Sequence, residues 1–198
     1  MKKIFFFSPV LLILALLFSC SAHKEKIDFP LAEGNIWEYT GDHQVGIGPR
    51  QVKFSNVPFT LVLEKLKRKE EIQYYIFELQ ARGQYFRSIR LQVNQDREIY
   101  PPAIDQPLLF DEIWKGRSWS TWIFDRRISL KSGGKEEINT TAGKFKAWKI
   151  KFSGGRVRGT AWIARGIGLV ALDYQSREPE NMSRLSIRLK KFRIKEKE

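Results

Sequence analysis

Chemistry needs nucleophiles, titratable groups or metal ligands, and this chain of 198 residues offers few of them. It has one cysteine, Cys20, and two histidines, His23 and His43. His23 sits in a short polar stretch, SAHKEKID, so a general base titrating near neutral pH would have to be His43. Asp42 precedes it in what reads as a loop, and no His-Glu-x-x-His spacing completes a metal-ligand set. The glycines of GDHQVGIGP lack the strand-to-helix setting of a phosphate loop. Two pairs of adjacent acids, Asp111-Glu112 and Glu136-Glu137, are of the type a two-carboxylate hydrolase uses. Neighbours on a strand point to opposite faces, so neither pair is a constellation by itself. The expectation is therefore no catalytic residue, no metal and no cofactor, with a hydrolase as the third-ranked alternative.

Cys20 has a different use. The chain opens Met1-Lys2-Lys3 and runs from Ile4 to Ser19 without a charge, which is the positive start and apolar stretch of a secretory signal. The run is shorter than the roughly 20 residues a spanning helix requires. It ends Leu17-Phe18-Ser19-Cys20, which resembles the bacterial lipobox: Leu at −3, a small residue at −1 and the obligatory Cys at +1. The resemblance implies diacylglyceryl transfer to the Cys20 thiol, cleavage before it and acylation of the new amine. Ser21 at +2 is not the Asp associated with inner-membrane retention, so an outer membrane is favoured where the organism has one. The expected organisation is a signal peptide over 1–19, a lipidated tether over 20–28 and one domain over 29–195. With Cys20 acylated the mature chain has no thiol for a disulfide or a metal, and packing must hold it together.

The elements that would position any side chain read as strands. "PFTLVLEKLKR" puts Phe59, Leu61 and Leu63 on one face, and "KFKAWKIKF" puts Trp148, Ile150 and Phe152 together. "DRRISLKSGGKEEI" reads as two strands around Gly133-Gly134, and Ser153-Gly154-Gly155 marks a hairpin. In "RLSIRLKKFRIK" the apolar set Leu185, Ile187, Leu189 slips by one residue to Phe192 and Ile194, the mark of a β-bulge at Lys190-Lys191. Residues 103–118, containing "PLLFDEIWKG", are the irregular part, with one or two helical turns at most, and are expected to cover one end of a sheet. The predicted fold is all-β: an antiparallel meander forming a strongly curved sheet, half-barrel or barrel-like.

Three further features bear on function. Residues 1–19 carry two lysines and no acid, so the formal charge of +13 becomes about +11 once they are removed. For an exported protein this points away from nucleic acid and towards anionic lipid or an anionic envelope polymer. The segment "IWKGRSWSTWIF" places Trp114, Trp119 and Trp122 close together, and on a strand Trp119 and Trp122 face opposite ways. One of them facing outward would offer a stacking surface for a glycan or acyl chain. Gly143, Gly166 and Gly168 read as turn or close-packing positions.

The motifs PLAEGNIWEY with Gly34, Trp37 and Tyr39, Ala142-Gly143-x-Phe145, and Gly166 to Val170 give a family resemblance. The chain resembles exported bacterial β-rich proteins and lipoproteins grouped as a domain of unknown function. The resemblance implies the β-rich fold and transfers no catalytic residue. The function expected is a membrane-anchored envelope lipoprotein acting as a binding or assembly module, with an envelope protein or anionic envelope polymer as partner. The alternative is a periplasmic carrier or chaperone holding a lipid, acyl chain or glycan in a half-barrel. Nothing in the sequence determines the oligomeric state.

Overall fold

The computed structural model describes residues 24–47, 50–69, 72–81, 84–101, 106–123, 126–178 and 181–195. Cys20, His23 and the signal segment lie outside them. The described chain is all-β and antiparallel, with no α-helix among the described residues.

Thirteen strands follow in order: β1 (Glu25–Lys26), β2 (Ile36–Ile47), β3 (Arg50–Lys69), β4 (Ile72–Ala81), β5 (Gln84–Val93), β6 (Ile99–Tyr100), β7 (Glu112–Ile113), β8 (Ser118–Ile123), β9 (Arg126–Thr140), β10 (Gly143–Gly154), β11 (Val157–Ala164), β12 (Gly168–Glu178) and β13 (Asn181–Arg193). Eleven form one sheet in the order β6-β5-β4-β3-β2-β13-β12-β11-β10-β9-β8, and β1 pairs with β7 in a separate ribbon. The sheet is two meanders joined where the first long strand, β2, pairs with the last, β13, from Ile36↔Arg193 to Gly46↔Met182.

Alternation decides which side is core. In β9 Ile128, Leu130 and Ser132 are buried while Ser129 and Lys131 are exposed, the period-2 pattern of a strand with one face covered. In β13 Ile187 and Leu189 are buried between exposed or half-exposed polar residues. Near the start of β2 the fully buried Trp37 and Tyr39 fill the space, and each satisfies its polar tip. Trp37 Nε1 donates to the Ile167 carbonyl at 2.6 Å and Tyr39 Oη to the Leu169 carbonyl at 3.0 Å. Burial pushes the Tyr39 phenol far above its ordinary value, so it stays a neutral donor.

The sheet is curved and does not close by strand pairing, because β6 and β8 are its two ends. The segment 106–110 bridges them. Ile99 N of β6 donates to the Leu109 carbonyl at 2.8 Å, and Leu108 N donates back to the Ile99 carbonyl at 2.6 Å. On the other side Trp119 Nε1 reaches the Leu108 carbonyl at 3.3 Å and Thr121 Oγ1 the Gln106 carbonyl at 2.7 Å. The arm supplies acceptors to a sheet edge that would otherwise stand open. It contains no helical turn among the described residues, and it spans a seam between edges rather than capping one end.

Three sequence expectations change. Gly133-Gly134 does not turn the chain, and β9 runs through it. The pairing jumps from Ser132↔Ile150 to Lys135↔Trp148, leaving the two glycines opposite Lys149 as a bulge, with Gly134 at φ 93°. The stretch Gly41–Ile47 is not a loop but the second half of β2. Gly41 serves a close approach there, since a Cβ on it would lie 1.9 Å from the Ser186 carbonyl oxygen. Lys24–Asp28 are not a free tether either. β1 pairs with β7, Ile27 and Ile113 are both 1 % exposed, and Gly166 N donates to the Ile27 carbonyl at 3.2 Å. The one apolar residue of that polar stretch is buried, and burial fixes its neighbours. The bulge read at Lys190-Lys191 is present as a register shift between Leu189 and Lys191.

Candidate functional site

The concave face holds a cavity of about 300 Å³ whose lining residues, among those described, are all apolar. Its walls come from both flanks of the sheet: Leu61 of β3 and Leu91 of β5 on one, Leu130 of β9, Phe152 of β10 and Ala161 of β11 on the other. Leu108 and Leu109 of the bridging arm join them. Strands far apart in the sheet order share this space only because the sheet curls. Leu61, Leu91, Phe152 and Leu172 remain half-exposed, so the space opens to solvent. Phe29 closes one side, its ring against Gly168, where φ is 93° and an added Cβ would meet the ring at 3.1 Å. An apolar recess with no donor or acceptor among its described side chains can hold hydrocarbon, and those side chains do no proton transfer.

The tryptophans do not converge. Trp114 lies under the Arg117 guanidinium at 4.4 Å from the ring centroid, with Lys24 Nζ at 5.6 Å. Arg117 also stacks on Phe110 at 3.3 Å, and burial pulls its pKa down. These residues border a recess of mixed charge with Asp111, Glu112, Arg97 and Glu98. Trp119 is directed inward, edge-on to Phe110 with centroids 5.6 Å apart. Trp122 is 41 % exposed, and buried Thr121 before it faces the other way.

The acids divide in the same manner. Asp111 accepts from the Asp28 N–H at 3.1 Å, whereas Glu112 faces Lys24 at 3.9 Å. Glu136 accepts from Trp162 Nε1 and pairs with Lys149 at 3.0 Å, which together hold its carboxyl below the usual carboxylate range. Glu137 faces Lys144 at 3.9 Å. His43 lies 3.3 Å from Ser183 Oγ, with its pKa lowered by desolvation, while Asp42 turns to Lys53 at 2.9 Å. Among the described residues no group of three or more His, Cys, Asp or Glu side chains gathers to hold a metal ion. Gly143 and Gly166 sit at turns with φ of 131° and 69°.

The sequence allowed a ligand-holding half-barrel as its alternative but did not name the lining residues, because the cavity is a sum over strands distant in the chain. The inward Leu and Ile positions were visible as alternation, but nothing local shows that they leave space between them.

No family model matches the chain, and no curated protein matches it. Two solved structures are similar in fold. One is a crystal structure of a protein from Parabacteroides distasonis ATCC 8503 assigned as a lipoprotein, 13 % identical, with a TM-score of 0.45. The other is a protein from Bacteroides fragilis NCTC 9343 assigned as exported, with a YmcC-like fold, 11 % identical at a TM-score of 0.48. Each comparison covers 85 % of this chain and 99 % of the other. At such identities and scores neither neighbour lends this chain a function.

Proposed function

We propose that this chain is a membrane-tethered lipoprotein, exported and acylated at Cys20, that holds an apolar chain in its curved sheet as a carrier or chaperone and performs no catalysis. The cavity of about 300 Å³, apolar at every described lining residue, carries the reading. Its volume lies at the lower end of small-ligand sites, which run from about 300 to 1,000 Å³. An acyl chain fits this chemistry, since it needs water excluded and asks for no hydrogen bond along its length. The interaction module expected first from the sequence is the rival reading, and an open cavity favours the carrier over it.

Native mass spectrometry of the full-length protein released from its membrane in a mild polyoxyethylene detergent tests both parts. The covalent mass should lack residues 1–19 and carry acyl groups that Cys20→Ala removes. A second, non-covalent mass of a molecule bearing an acyl chain should accompany the wild type and be absent from Leu172→Arg, which puts a charge on the cavity wall. A Cys20→Ala protein that matures normally and stays on the membrane would sink the lipoprotein part. A wild type with no adduct, or an adduct indifferent to Leu172→Arg, would sink the carrier part.

A further inference from the structure

The opposite face of the same sheet carries a second pattern, legible only once the register is known. Directly paired residues of neighbouring strands point the same way. One row across β8, β9, β10 and β11 is therefore Ser118, Lys131, Lys151 and Thr160. The next is Ser120, Ser129, Ser153 and Arg158. Between the rows run the backbones of Trp119, Leu130 and Phe152, whose side chains face inward; Leu130 and Phe152 line the apolar cavity. The two rows border an outer depression of about 670 Å³. Arg158 also borders a second depression of about 510 Å³ that runs towards β3 and is of mixed charge, with Asp42 and Asp173 beside Lys53 and Arg184 in its lining.

The charge of this outer trough is one-sided at its β8 end. Lys131, Lys151 and Arg158 line the first depression, and among the described residues no Asp or Glu does. Lys131 stands directly opposite Lys151. Like charges so placed destabilise a sheet, and neither lysine has an ion-pair partner among the described residues. Lys151 does act on Glu136, but that carboxylate is already held by Lys149 and Trp162. Beyond Ser120 on the same outward column of β8 comes Trp122, exposed and paired with Arg127.

We propose that this outer trough binds an anionic polysaccharide: the Trp122 indole stacks on a sugar ring, the Ser and Thr hydroxyls meet sugar hydroxyls, and Lys131, Lys151 and Arg158 take the acidic groups. Strands stand about 4.8 Å apart, so the polar groups recur at a spacing close to the advance of one sugar along an extended glycan. A lipid surface fits less well, because it would use the cations alone, whereas hydroxyl side chains share the rows of Lys131, Lys151 and Arg158 and an exposed indole lies on the same column of β8. The inference is independent of the apolar cavity on the other face.

The test uses the full-length protein in polyoxyethylene detergent, with polygalacturonate as the probe and neutral dextran as the control. Wild type should bind polygalacturonate with an affinity that falls as salt rises, and should not bind dextran. Lys131→Glu places opposite charges where like ones stood. It should leave thermal stability equal or higher, yet weaken polygalacturonate binding about tenfold or more. Trp122→Ala should weaken binding at every salt concentration without altering the salt slope, the signature of stacking rather than charge. The proposal is overturned if wild type ignores polygalacturonate, if Lys131→Glu binds it as well as wild type does, or if dextran binds equally. Lysine-dependent capture by phosphatidylglycerol vesicles, without affinity for the polymer, would overturn it in favour of a lipid surface.

Discussion

Ala161→Phe separates a real void from a packed core. Ala161 lies in the middle of the cavity wall, paired with Ile150 on one side and Leu172 on the other, and all three line the space. A phenyl ring adds roughly 100 Å³ of side chain, and at about 24 cal/mol for each Å³ of apolar void removed this is about 2 kcal/mol of stabilisation at most. In a core already filled, the same enlargement costs about 1–3 kcal/mol. For a domain of this size 1 kcal/mol shifts the midpoint by roughly 2–4 °C, so the two cases differ in sign and by several degrees. Thermal unfolding of the full-length protein in detergent, followed by near-UV circular dichroism, reads the shift. The expected result is a midpoint equal to or above wild type, together with loss of the bound acyl molecule. A fall of several degrees with the acyl molecule retained would refute the reasoning, since the ring would then have entered a filled region away from the ligand.

Other positions test the frame around the cavity. Gly41→Ala puts a Cβ 1.9 Å from the Ser186 carbonyl oxygen at the seam joining the two meanders. It should lower stability by about 2–3 kcal/mol in urea unfolding, through overpacking and weakened backbone hydrogen bonds. Gly133→Ala, whose Cβ would stand 3.4 Å from Lys149 Cδ and 3.6 Å from the Lys149 carbonyl oxygen, both ordinary contacts, should be close to neutral. Equal effects at the two glycines would contradict this account of the seam. Glu136 is held below its usual pKa by the hydrogen bond from Trp162 and then by Lys149. A carboxylate depressed in the fold contributes stability that is present above its unfolded pKa and lost as pH falls through the folded one. Glu136→Gln should therefore flatten the acid limb of the stability–pH curve below about pH 4, and an unchanged limb would refute the assignment.

How much of this was legible depended on how local each feature is. The alternation of Phe59 and Leu63, and of Ile187 and Leu189, marks buried faces, and all four are buried. The slip after Leu189 showed its bulge because a change of phase is itself a local pattern. Gly133-Gly134 misled for a physical reason. Positive φ serves a tight turn and a bulge alike, and which one forms depends on whether a neighbouring strand continues past it, as β10 does. Ile27 gave no periodic signal, being a lone apolar residue among charges, yet the end of the sheet buries it. The outer trough was present in the strings SWS and SLKS but meaningless without register. Its rows join residues up to 42 apart in the chain, and a shift of one residue in a strand's pairing would turn that strand's serines inward.

The inner face also bears on what the cavity recognises. Side chains converge inside a curved sheet, and this chain has aromatics enough to fill such a space. Trp37 and Tyr39 fill one end, buried with their polar tips bonded to the carbonyls of Ile167, just before β12, and Leu169 within it. Further along, the positions are Leu, Ile, Ala161 and Phe152, with Phe29 at one side, and among the described residues no polar side chain lines the space. A wall without donors cannot select a headgroup, so it should discriminate by hydrocarbon length alone. Each buried methylene contributes about 0.8 kcal/mol, about a fourfold gain in affinity. At about 30 Å³ each, close to the share of a water molecule in the liquid, about ten methylenes fill the 300 Å³ available. In a series of saturated fatty acids, each competing with a fluorescent C18 polyene acid for the full-length protein, affinity should rise steeply up to about ten carbons and then level off. Replacing the carboxylate by an alcohol should leave the series unchanged. A dependence on the headgroup, or a steady rise well past that length, would mean that the ligand lies somewhere other than between these strands.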